Sequence, residues 1–224
     1  MISYNYSLDH QGVTRGINCN YANASPIRFG AVPGVSVPWV LQYNASCDTV
    51  AQVDALTDVV TFISVNANNT LGSWACKSPP AAGQMPTYFI YFRGRGAMPG
   101  GYQDSIGNIT CTISPFQAAI YPVTYQSVPR IFSSMKPIAN STQVHSRLME
   151  GSLLELAQVL HLGQNFQANI VAESVLTFGA KSFGLRLDKK DPRHLESYQW
   201  MIQGILEYEV RHINFFPLQL FTVI

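Results

Sequence analysis

The sequence contains few charged residues and no long hydrophobic run. Charged residues make up 12% of the 224 residues, about half the roughly 25% that is usual for a soluble domain. The 14 basic and 13 acidic residues give a net charge of +1, which excludes a strong field for nucleic acid. No apolar run reaches the roughly 18 residues of a complete transmembrane helix. Hydrophobic residues make up 47%, which excludes a disordered chain.

The common catalytic and ligand-binding motifs are also missing. The sequence has no GxSxG, GxxxxGK[ST] or GxGxxG pattern, so neither a hydrolase nucleophile nor a phosphate loop is indicated. It has no CxxC, HxH or HxxxH spacing, so we expect no metal and no cofactor. The first glutamate is Glu150, and no pair of carboxylates is marked out for glycoside hydrolysis. We expect no catalytic residue, and a binding or structural protein is favoured over an enzyme.

The first half of the chain has the pattern of short strands. Its apolar runs are rich in Val, Ile, Thr, Tyr and Phe and are separated by clusters of turn residues. These runs cover residues 36–43, 59–65, 87–92, 109–113 and 120–125. Several short strands without a long helical period favour an antiparallel β-sandwich.

The second half has the pattern of helices. Leucines at helical spacing predict a helix over residues 146–162, and a second apolar stripe predicts one over 166–178 that ends at Gly179. Asp191 followed by Pro192 predicts the start of a third helix, which should extend to about His212. The predicted fold class is therefore α+β, with an N-terminal antiparallel β-sandwich domain (1–139) and a C-terminal helical region (144–224).

Cysteines and glycosylation motifs predict an extracytoplasmic location. All four cysteines fall within the first 111 residues and predict two disulfides in an oxidising compartment. Three connectivities are open, and we favour Cys19–Cys47 with Cys76–Cys111 because each pair closes a modest loop. Six N-x-[ST] motifs predict glycosylation sites, where chance would give roughly two. They lie at Asn5, Asn23, Asn44, Asn68, Asn108 and Asn140.

Both ends of the sequence bear on membrane attachment. The residues after Met1 have neither the basic nor the apolar segment of a signal peptide. Either the start of the protein is missing or the secretory interpretation is wrong, and we favour a missing start. Residues 213–224 carry no charge and fit either a last buried strand or the opening of a membrane segment.

Several strings resemble a family of large, multi-pass membrane proteins of mushroom-forming (basidiomycete) fungi. They cover residues 4–12, 62–70, 74–78, 106–112, 121–127, 171–175, 179–184 and 201–206. The resemblance implies an extracytoplasmic, glycosylated segment at the cell surface or in the secretory pathway, attached to membrane helices elsewhere in a longer protein. It implies no particular activity and no catalytic residue.

Two features indicate what such a segment could bind. Arg93 and Arg95, bracketed by aromatic residues, could hold an anion or a sugar, although strand ends are more often simply solvated. An exposed row of tyrosines could stack on carbohydrate, although cross-strand packing is commoner. We expect a carbohydrate or a surface protein as ligand. The alternatives are a secreted hydrolase acting on cell-wall polysaccharide and a gene fragment without independent function.

Overall fold

The structure analysed is a computed structural model. It describes residues 5–14, 16–31, 40–47, 51–52, 63–64, 69–78, 86–96, 101–114, 117–126, 131–134, 138–143, 146–164, 167–186, 188 and 190–220. The predicted sequon at Asn68, the first residues of the 36–43 run and most of the 59–65 run lie outside these ranges. All the sheets in these ranges are antiparallel, as predicted.

The strands form three sheets. The central sheet has the order β2-β9-β8-β7-β5 and the outer sheet the order β3-β4-β6, while in the third sheet β10 pairs with β1, β11 and β12. The strands are β1 (Asn5–Thr14), β2 (Ile17–Tyr21), β3 (Ile27–Ala31), β4 (Val40–Ala45), β5 (Ala51–Gln52), β6 (Ile63–Ser64), β7 (Thr70–Lys77), β8 (Tyr88–Arg95), β9 (Asn108–Ile113), β10 (Gln117–Gln126), β11 (Ile131–Ser134) and β12 (Ile138–Gln143). The predicted strands at 87–92, 109–113 and 120–125 are confirmed.

Four helices accompany the sheets, and most of their boundaries follow local signals. They are α1 (Tyr102–Ser105), α2 (Ser146–Leu162), α3 (Ile170–Phe183) and α4 (Pro192–Leu220). Helix α2 has the predicted bounds, and α4 begins as predicted because the Asp191 carboxylate accepts the backbone N–H of Arg193 at 2.9 Å. Helix α3 ends at Gly184, whose left-handed conformation (φ 65°) glycine adopts readily.

Helices α2 and α4 cover one face of the central sheet. Side chains alternate along β8, and Tyr88, Ile90 and Phe92 are buried towards the helices. The Phe92 ring centroid lies 5.4 Å from that of Tyr198 in α4, and Leu156 of α2 is fully buried in the same cluster. The central sheet and the helices share this core. The predicted boundary between a β domain (1–139) and a helical region (144–224) stays a prediction about which parts of the chain fold independently.

The outer sheet lies against the opposite face of the central sheet. Ile27 and Tyr43 of the outer sheet form a second buried cluster with Trp74 and Cys76 of β7. Strand β7 is therefore buried on both faces. A sheet with helices on one face and a smaller sheet on the other places the fold among mixed α and β structures.

Two expectations about the helices were wrong. Helix α3 continues through Gly179, which is buried against α4, rather than ending there. Residues 213–220 belong to α4, so they do not form a last strand.

Candidate functional site

The four cysteines form two disulfides, but not in the favoured pairing. Cys19 bonds to Cys111 and Cys47 bonds to Cys76, so the expected Cys19–Cys47 and Cys76–Cys111 bonds are wrong. Cys19 and Cys111 face each other as a register pair on the adjacent strands β2 and β9. Strands that are neighbours in space are distant in sequence here, and a preference for short loops therefore selected the wrong partners.

The predicted glycosylation sites occupy different surroundings. Asn23 and Asn44 are exposed, and Asn108 is half-buried at the start of β9. Asn5 and Asn140 lie on β1 and β12. Glycosylation stays a prediction at all six positions.

A cavity of about 630 Å³ lies where the outer sheet meets one end of the central sheet. Four cationic side chains line it and define what we call the cationic cavity. Its lining is Arg28, Phe29, Arg93, Gly94, Arg95, Gln103, Gly107, Asn108 and Lys190. Arg93 and Arg95, the predicted anion-binding pair, project from the same face of β8 because they are two residues apart.

Close approaches of backbone and side chain build the walls of this cavity. At Gly72 of β7 an added Cβ would come 3.0 Å from Ile27 and 3.1 Å from Phe29, so the glycine lets β3 approach the central sheet. Gly107 has φ 61°, and an added Cβ would come 2.3 Å from the Lys190 Nζ. The Lys190 side chain therefore lies directly against Gly107, whose left-handed backbone conformation favours glycine.

Two of the four cations are held in place by aromatic rings. The Arg93 guanidinium donates to the Ile27 carbonyl, and its Cζ lies 5.6 Å from the Phe29 ring centroid. The Lys190 Nζ lies 6.0 Å from the ring centroid of Tyr21. The Tyr21 hydroxyl donates to the Asp191 carbonyl at 3.0 Å and so ties the segment that carries Lys190 to the sheet.

The charge of the cavity is not balanced by its own lining. None of the described lining residues is acidic. The acidic partners of Arg186, Arg193 and Lys77 are Asp188, Asp191 and Glu150, and those carboxylates do not line the cavity. Four like charges around one space repel each other and attract an anion. The arrangement therefore suits binding of an anion, and it offers no paired carboxylates for general acid and base catalysis.

A second polar cluster holds the helices together and is structural. The Asn169 side chain accepts the backbone N–H groups of Val171 and Ala172, each at 3.1 Å, and donates to the Leu160 carbonyl at 2.8 Å. The Tyr102 hydroxyl accepts the Asn169 backbone N–H at 3.1 Å and donates to Glu173 at 2.6 Å. Burial, followed by the hydrogen bond to Glu173, raises the pKa of Tyr102 well above its usual value, so this hydroxyl stays protonated.

The tyrosine side chains that the structure describes on β8 and α1 do not form the exposed row that carbohydrate stacking requires. Tyr88 and Tyr102 are buried, and Tyr91 is half-buried. Burial, then the charge of Glu150, raises the pKa of Tyr88 to about 12. Among the side chains that the structure describes, the large exposed aromatics are instead Phe178 and Trp200, whose ring centroids on α3 and α4 are 5.7 Å apart.

Sequence reasoning identified only part of the cationic cavity. Arg93 and Arg95 were singled out, whereas Arg28, Lys190 and Gln103 were not. No local signal links Arg28 of β3 with Lys190 before α4, because only the packing of the two sheets and the helical region brings them together. Among the described residues no group of three or more His, Cys, Asp and Glu side chains could hold a metal ion.

A comparison with protein-family models, curated proteins and solved structures finds no match for this chain. In the part of the chain that the structure describes, no helix has the length and apolar character needed to cross a membrane.

Proposed function

We propose that the chain is an extracytoplasmic segment of a membrane glycoprotein and that it binds a ligand rather than catalysing a reaction. The pairing of all four cysteines into two disulfides carries this proposal, because such bonds persist in oxidising compartments. The six sequons add support, and the resemblance to fungal membrane proteins suggests attachment through helices outside these residues. The cationic cavity is the proposed ligand site, in molecules that carry no glycan on Asn108.

A sandwich-like core is part of the proposal. The outer sheet and the central sheet would form its two layers, with the Cys47–Cys76 bond between β7 and the segment that follows β4. Such a scaffold would present the rim of the cationic cavity on rigid strands. The alternative of a hydrolase acting on cell-wall polysaccharide gains no support from the cavity, because its described lining contains no carboxylate.

Expression behind a secretory signal in a eukaryotic host tests the proposed location. We expect an intact mass above that of the polypeptide, a decrease on treatment with glycosidase, and a gain of about four hydrogen atoms on reduction, two for each disulfide. An unmodified mass with four reactive thiols would contradict an extracytoplasmic role.

A further inference from the structure

We infer that the cationic cavity binds a small organic molecule that carries a phosphate or sulfate group, with Arg28, Arg95 and Lys190 as its charged ligands. This inference deepens the proposed function because it names the ligand class of the same site. It rests on the proposed binding role but not on the proposed location.

The cavity concentrates positive charge. Four of the 14 basic residues in a chain of net charge +1 line this one space, and no acidic residue is among the described lining. Arg93 is already engaged by the Ile27 carbonyl and the Phe29 ring. Among the described residues, no carboxylate pairs with Arg28, Arg95 or Lys190. A bound anion would therefore become the charge partner of these three side chains.

The arrangement of these cations favours a tetrahedral oxyanion over a carboxylate. Arg28 comes from β3, Arg95 from β8 and Lys190 from the segment before α4, so the charges line the cavity from three separate elements. A phosphate or sulfate presents three oxygens in different directions, whereas a carboxylate presents two in one plane. Guanidinium groups match such oxygens with paired hydrogen bonds, and an ammonium adds a compact charge.

The size of the cavity indicates more than a bare ion. Its volume of about 630 Å³ lies in the range of roughly 300–1,000 Å³ that is usual for small-molecule sites. A water molecule takes about 30 Å³ in the liquid, so a free phosphate would fill only a small part of the space. The side-chain amide of Gln103, and that of Asn108 where it carries no glycan, would hydrogen-bond the remainder of a larger ligand.

Calorimetric titration at constant ionic strength tests the inference. The protein carries Thr110→Val, which removes the Asn108 sequon, and is secreted, treated with glycosidase and kept oxidised; the probes are glucose 6-phosphate, glucose 6-sulfate, inorganic phosphate, glucuronate and glucose. We expect both esterified sugars to bind more tightly than inorganic phosphate, and glucuronate and glucose to bind weakly or not at all. Salt must be constant because polyvalent anions also act through screening and exclusion.

Variants locate the binding. Arg95→Gln and Lys190→Gln should each weaken binding of glucose 6-phosphate by roughly tenfold or more, since each removes a charge-assisted hydrogen bond. The matched control is Arg186→Gln, which removes an exposed arginine that pairs with Asp188 outside the cavity and should leave affinity nearly unchanged. Thermal unfolding in chloride shows whether each variant is folded.

Three results would overturn the inference. One is the same affinity in Arg95→Gln, Lys190→Gln and the control, and another is glucuronate binding as tightly as the phosphate ester. The third is no heat from either ester at about 10 mM. None of these results alters the intact mass, so the inference can fail while the proposed location stands.

Discussion

The contact between α3 and α4 at Gly179 gives a sharp prediction about stability. An added Cβ at this position would come 2.7 Å from Nδ1 and 3.1 Å from Cε1 of His194, and 3.4 Å from Oγ of Ser197. His194 is fully buried, and its Nε2 lies 3.1 Å from the Arg186 carbonyl, so its ring has no open space to enter. We therefore expect Gly179→Ala to be destabilising, although alanine favours helix by about 1 kcal/mol.

The magnitude follows from a matched comparison with Gly204→Ala. Gly204 also lies inside a helix, and an added Cβ there meets nothing within 4 Å, so this variant should gain about 1 kcal/mol. The difference between the two variants isolates the clash, which should cost about 1–3 kcal/mol. Denaturant unfolding of the oxidised proteins measures both values. Equal stability of the two variants would refute the close packing of α3 on α4.

Three further predictions concern the caps, the junction of the helices and the cavity. Hydrogen bonds from the Arg193 side chain, then from its backbone N–H, lower the pKa of the Asp191 carboxyl from 3.8 to about 2. Asp191 therefore adds stability above pH 3.8 that is lost as the pH falls towards about 2. Asp191→Asn keeps a capping side chain, and its free energy of unfolding, measured with denaturant, should decrease less as the pH falls below 3.8. The same decrease in the variant and the parent protein would contradict this. Tyr102→Phe should lower the free energy of unfolding by about 1–3 kcal/mol in the same assay, because it leaves the Asn169 N–H without its partner. An unchanged free energy of unfolding would contradict the hydrogen bond between Tyr102 and Asn169. A glycan on Asn108 would occupy the cationic cavity, and Thr110→Val removes that sequon. This variant should bind glucose 6-phosphate without glycosidase treatment, whereas protein glycosylated at Asn108 should not. Equal titrations of the two proteins would contradict the placement of Asn108 in the cavity.

Features that depend on neighbouring residues could be predicted from the sequence. Helix α2 follows from the spacing of its leucines, and the start of α4 follows from Asp191 and Pro192, because caps and stripes are local. Strand positions around residues 88–92 and 109–113 followed from short runs of β-branched and aromatic residues. Gly179 shows the limit of such rules, because the same residue marks a helix end or a close helix contact, and only the position of α4 distinguishes the two.

Features that depend on sheet order could not be predicted. Cys19 and Cys111 are adjacent because β2 pairs with β9, and no local pattern specifies which strands become neighbours. The cationic cavity needs β3 to lie over the central sheet and Lys190 to return to Gly107. Arg93 and Arg95 were recognisable from the sequence because they share one strand, whereas Arg28 and Lys190 were not.

The pairing of the cysteines is the central claim, and a non-reducing tryptic map of the deglycosylated, secreted protein tests it most directly. Trypsin places Cys19 in peptide 16–28, both Cys47 and Cys76 in peptide 29–77, and Cys111 in peptide 96–130. The structure predicts that peptide 16–28 is linked to peptide 96–130, while 29–77 is separate with an internal disulfide. A single species that joins all three peptides, or three reduced peptides, would contradict it.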